Sequence, residues 1–167
     1  MGMSIEEPQE QGQLENLKEN LLNNLIKLKL RIIRKYDLLL YYSSLSNVRL
    51  FLEQLIMQEK VDIELLKNAE TTYMSKQEIK KIKKNDYEAL DHLIQTDYGD
   101  IDANNLKDIL QWAVKTCDDL HNILEISAQD YEDEDIRNML ISLSMNELKK
   151  KNNLVRIYDD LINQNFW

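Results

Sequence analysis

Five charged side chains stand where a helical protein usually places leucines. Glu59 is ringed by Leu52, Leu55, Ile56, Ile63 and Leu66, and Glu147 lies on the line of Leu140, Leu143 and Leu154. Asp62 and Lys150 follow the two glutamates at i+3, so each points to nearly the same side as its glutamate. Lys35 falls among Leu28, Ile32, Leu38, Leu39 and Tyr42. Cys117 shares the line of Leu110, Ala113, Val114, Leu120 and Leu124. Burying a lone charge in such a stripe costs several kcal/mol unless it is paired or holds a metal. The alternative is that long side chains at a stripe edge reach out to water, a reading that applies most to Lys35 and Lys150.

Other residues allow weaker chemistry. Cys117 and His121 are one helical turn apart, a spacing that permits metal ligation or thiolate activation, or simply a small buried thiol. His92, beside Asp91, and the Lys80–Lys84 run read as solvated helix surface. Met57, Met145, Tyr41 and Tyr42 read as core or interface filler. There is no Gly-rich phosphate loop, nucleophile elbow or zinc spacing.

Composition shows what must position these residues. Of 167 residues, 43% are hydrophobic and 31% charged, with three Gly and one Pro. Average usage would supply about twenty Gly and Pro, so sandwiches, barrels and doubly wound α/β folds lack the turns they need. Long helices with few connections remain. The acidic stretch to Gln13, with Pro8, reads as a loosely attached tail and not as a secretory signal, followed by one domain over 14–167. Periodicity predicts a first helix from Leu14 to Leu45 and a second from Val48 to Ala69. A Ser75-x-x-Glu78 capping box opens a thin-striped surface helix to Gln95. Tyr98-Gly99-Asp100 forms a turn, and Asp102 or Asn104 caps a third long helix reaching Ala128. The acids Glu132 to Asp135 start the fourth long helix, which runs to Asn163.

The two halves resemble each other. Phe51-Leu52-x-x-Leu55-x-Met57-x-Glu59 matches Met139-Leu140-x-x-Leu143-x-Met145-x-Glu147, 88 positions on, and Leu66 matches Leu154. The leading helices match at an offset of 82, which implies a longer loop in the second hairpin. Two hairpins joined by a helical crossover predict an all-α, four-helix up-down bundle. This repeated hairpin, with Glu-x-x-z in its second arm, resembles the ferritin-like proteins of the rubrerythrin type over about residues 20–163.

The resemblance implies a di-metal centre held by one Glu from each of two helices and a Glu-x-x-His from each of the other two. Carried onto this chain, those positions fall on Lys35, Cys117, Glu59 with Asp62, and Glu147 with Lys150. A protonated lysine offers no lone pair and repels a metal. The site therefore reads as degenerate: a buried ion network of Lys35, Glu59, Asp62, Glu147 and Lys150, with no catalytic residue and no cofactor. A non-catalytic structural or interaction module follows. The rival is an iron or manganese oxidoreductase, or a metal-handling protein, that uses Glu59, Asp62 and Glu147, aided by Glu53, Cys117 or His121.

The net charge of −9 and a pI near 4.8 argue against nucleic acid or anionic membrane as partner. No apolar run approaches the roughly 18 residues of a membrane span, and one cysteine fits a reducing compartment. These features predict a soluble, cytoplasmic protein. The wide apolar first helix and Phe166-Trp167 suggest a homodimer, with an unknown protein partner as a further option.

Overall fold

Asn20 starts the first helix, α1 (Leu21–Tyr42), where its side chain accepts the Leu22 N–H at 2.8 Å. The computed structural model describes residues 20–95 and 100–164, and among them it is all-helical. α1 buries Leu21, Leu22, Leu25, Leu28, Ile32, Ile33, Tyr36 and Leu39 along one broad face. It stops where Ser43 turns extended and its N–H returns to the Leu39 carbonyl. α2 (Ser46–Tyr73) then runs back along α1, longer at both ends than its periodicity predicts.

Arg49 clasps this corner by donating to the carbonyls of Leu40, at 2.6 Å, and Ser43, at 3.0 Å. Those carbonyls have lost their helical partners, so a cation there satisfies both their lone pairs and the helix dipole. The second hairpin uses the same device. α4 (Leu106–Gln129) and α5 (Glu134–Asn163) pack together, and Arg137 donates twice to the Tyr131 carbonyl, at 3.1 and 2.6 Å.

Between the hairpins the chain departs from its capping-box pattern. No helix opens at Ser75. A turn leads to a 3-10 segment (Gln77–Ile79), and α3 (Lys84–Gln95) starts later. Glu78 is drawn away because its carboxylate accepts the backbone N–H groups of Glu132, at 2.5 Å, and Asp133, at 3.2 Å, just before α5. Lys76 adds ion pairs to Asp133 and Asp135, so the crossover is tied to the second corner. α3 buries Leu90 and Leu93 and touches both α1 and α4.

The cap of α4 is also displaced. Asn105, not Asp102 or Asn104, accepts the Asp108 N–H. Asn104 instead receives the Ser44 N–H at 2.8 Å and joins the first corner to the approach of α4. Met57, Met145, Tyr41 and Tyr42 all lie in the open, so they are not core filler. Lys83 is half-buried with its ammonium 4.9 Å above the Tyr131 ring, which takes it out of the solvated lysine face. The tail, Gly99, Phe166 and Trp167 lie outside the described residues.

One register relates the two hairpins throughout. At a separation of 88 positions Leu21, Leu22, Leu25, Ile32 and Tyr36 answer to Ile109, Leu110, Ala113, Leu120 and Leu124, all buried. The same separation links Arg49 to Arg137 and the helix starts Ser46 to Glu134. The offset of 82 for the leading helices is therefore wrong by six residues, and no longer second loop is needed. A slip of six residues turns the stripe by roughly 120°, and the apolar face of α1 is broad enough to overlap its partner pattern at that angle, so only burial separates the registers.

Candidate functional site: a buried lysine–carboxylate cluster

The corrected register moves the site. On α1 the buried cation is Lys29, not Lys35. Six residues advance a helix by about 600°, so the two side chains leave α1 roughly 120° apart. Lys29 has Leu25 and Ile26 one turn before it and Ile32 and Ile33 one turn after. Lys35 has Arg31 at i−4 and the exposed Leu38 at i+3, and it is only half-buried. Lys35 nevertheless has Ile32 and Leu39 one turn away, so the neighbours in sequence leave both lysines as candidates and burial separates them.

The structure brings together four of the five expected residues. α2 contributes Glu59 and Asp62, α5 contributes Glu147 and Lys150, and α1 contributes Lys29. Lys29 Nζ lies 2.8 Å from Glu59 Oε2 and 3.2 Å from Asp62 Oδ2, and contacts Glu147 Oε1. Lys150 Nζ lies 2.8 Å from Glu59 Oε1, 2.7 Å from Asp62 Oδ2 and 3.3 Å from Glu147 Oε2. Each ammonium thus touches all three carboxylates. Lys29, Glu59, Asp62 and Glu147 are 3–4% exposed, so water does little to screen these contacts.

Three anions face two cations. The surplus negative charge is relieved at Asp62 Oδ1, which accepts amide hydrogens from Gln58, at 3.3 Å, and Asn146, at 3.2 Å. Burial opposes the charged form of Glu59, but the ammoniums of Lys29 and Lys150 outweigh it and hold the carboxyl below its usual range. Asp62 is lowered by the same balance. Burial likewise opposes the charge on Lys29 and Lys150, and Glu59 and Glu147 reverse it, so both amines are raised. These four groups are locked in their charged forms near neutral pH, which suits a strut and not a proton shuttle.

Cys117 stands on α4 within electrostatic reach of the cluster. Burial above all, then Glu147 and Glu59 against the opposing ammoniums, pushes its thiol up to about 12, so it is no activated nucleophile. His121 does not join it. The imidazole Nδ1 lies 2.7 Å from Ser144 Oγ on α5, and Nε2 lies 3.4 Å from Glu125. Glu53 and His92 are exposed, away from the cluster.

A void of about 20 Å³ adjoins Lys29, Asp62, Asn146 and Glu147, room for about one water and far below the roughly 300 Å³ of a small-molecule pocket. The di-metal donor set implied by the family resemblance does not fit these residues. The carboxylate oxygens it would need already bind two ammonium groups that offer no lone pair. Among the described residues no group of three or more His, Cys, Asp or Glu is disposed to hold a metal ion, and no helix is long and apolar enough to cross a membrane.

A second buried acid has no counterpart in the sequence reading. Asp86 on α3 is 2% exposed and accepts the Ser127 hydroxyl at 2.9 Å. Burial first, then Asp130, raises its pKa to about 6 against the Ser127 hydrogen bond and Lys83. A carboxyl raised in the folded state favours folding below its ordinary value of 3.8 and loses that advantage as pH rises through 6. Asp86→Asn should therefore stabilise the protein by about 1–2 kcal/mol at pH 7.5 and by almost nothing at pH 4 in thermal melts. Equal effects at the two pH values would show that Asp86 keeps its charge at no cost.

The chain matches no family model, no curated protein and no solved structure.

Proposed function

We propose that this chain is a ferritin-like four-helix bundle of the rubrerythrin type whose di-metal centre has been replaced by an internal salt-bridge cluster. It serves as a non-catalytic structural or interaction module. The observation that carries the reading is the placement of the Lys29 and Lys150 ammoniums, each against all three carboxylates at the junction of α1, α2 and α5. In that place an ammonium neutralises the carboxylates as a metal pair would, without a redox-active ion.

The single 88-residue register supports the same reading. It pairs Lys29 with Cys117 and Glu59 with Glu147, which moves the first-helix ligand position of the family pattern from Lys35 to Lys29. A pairing role for the protein, as a homodimer, rests on the apolar residues that α2 turns outward, among them Leu50, Met57, Val61 and Leu65.

The test is metal content after anaerobic soaking of the full chain with Fe(II) or Mn(II) and removal of loosely bound ions. Well under one ion per chain is expected, with no change in unfolding temperature. Stoichiometric metal, lost on Glu59→Gln or Glu147→Gln, would replace this reading with a di-iron or di-manganese oxidoreductase or metal-handling protein.

A further inference from the structure

A groove of about 330 Å³ runs between α1 and α3, on a different face from the buried cluster. Its volume is in the range of small-molecule sites. One wall carries Lys27, Arg31 and Arg34, spaced i, i+4, i+7, so the three cations form a line about 10 Å long. The other wall repeats the spacing with Tyr87, Asp91 and Ile94 on α3. Leu30 stands among the cations and is half exposed, which leaves an apolar surface open inside a charged rim.

What distinguishes this groove is the arrangement of its charge. The chain carries nine more negative than positive groups, yet here three cations stand in one line on a single helix face. Among the described residues no ion pair involves Lys27, Arg31 or Arg34, and Asp91 is the one described acid lining the groove. Like charges one turn apart repel unless an anion lies between them. Two guanidinium groups supply the planar forks that match phosphate oxygens.

We propose that this groove binds a nucleoside diphosphate. Its phosphates lie along Lys27, Arg31 and Arg34, its ring lies against Leu30, Tyr87 and Ile94, and Asp91 accepts a hydrogen bond from a ring amine or a sugar hydroxyl. The inference does not depend on the fate of the metal site, because none of these residues belongs to the buried cluster.

Calorimetric titration of the full chain with adenosine diphosphate, pyrophosphate and adenosine tests it. Adenosine diphosphate should bind saturably at one per chain, with pyrophosphate about tenfold weaker and adenosine weaker still. Arg31→Gln with Arg34→Gln should weaken adenosine diphosphate by about tenfold or more, and both side chains are exposed, so folding should survive. Lys80→Gln with Lys81→Gln, an exposed pair elsewhere, should leave binding unchanged. Absence of saturation into the millimolar range, or equal losses in the two double variants, would overturn the site. Pyrophosphate binding as tightly as adenosine diphosphate would overturn the ring-binding half.

Discussion

Lys29→Met should lower the unfolding free energy by about 3–5 kcal/mol, a drop in melting temperature on the order of 10 °C. Methionine matches the lysine stem in length, so packing is largely kept and the loss is electrostatic. Without Lys29, three buried carboxylates face Lys150 alone, and two negative charges remain uncompensated in a water-poor interior. Lys35→Met should change stability by less than about 0.5 kcal/mol, since Lys35 is half-buried and outside the cluster. Pairing Lys29→Met with Glu147→Gln removes one charge of each sign. The double variant should recover a good part of the loss, with a coupling energy of about 1–3 kcal/mol in a double-mutant cycle. Urea denaturation of the four species measures it, and strict additivity would mean that Lys29 and Glu147 do not act as a pair.

Glu59→Gln is the second large effect, and its size depends on pH. At pH 7 the substitution leaves two buried ammoniums with two carboxylates but takes the bridging anion from between them, for a cost of about 1.5–3 kcal/mol. The folded-state pKa of Glu59 lies below its ordinary value of 4.5, and that of Asp62 below 3.8. Stability drawn from these charges is present in full above the ordinary values and is lost as pH falls through the lowered ones. The gap between the parent protein and Glu59→Gln should therefore hold from pH 8 to about 5 and close in more acidic solution. Unfolding followed by circular dichroism across that range checks it. A gap that stays constant down to pH 3 would assign the loss to packing and not to charge.

Much of the fold was legible because helices announce themselves locally. Scarcity of Gly and Pro, the three/four spacing of leucines and the acidic run before α5 depend only on near neighbours along the chain. Boundaries went astray where a side chain had a distant partner. The Ser75–Glu78 pattern failed because Glu78 serves the N–H groups of Glu132 and Asp133, more than fifty residues away. Asn104 was not a cap because Ser44 claimed it. Asp86 gave no sequence signal, since an aspartate near a helix start normally meets water.

The sequence by itself determined the class of the protein, long helices in two similar hairpins, and it marked Glu59, Asp62, Glu147 and Lys150 as charges inside apolar stripes. It did so because a stripe and a misplaced charge are properties of one helix at a time. Only the tertiary structure decided which lysine of α1 meets those charges. Lys29 and Lys35 both lie near a wide apolar face, and the choice turns on how α1 is rotated against α2 and α5. That rotation is set by the packing of the whole face, where burying each large side chain is worth about 1.5–3 kcal/mol, and no single residue records it.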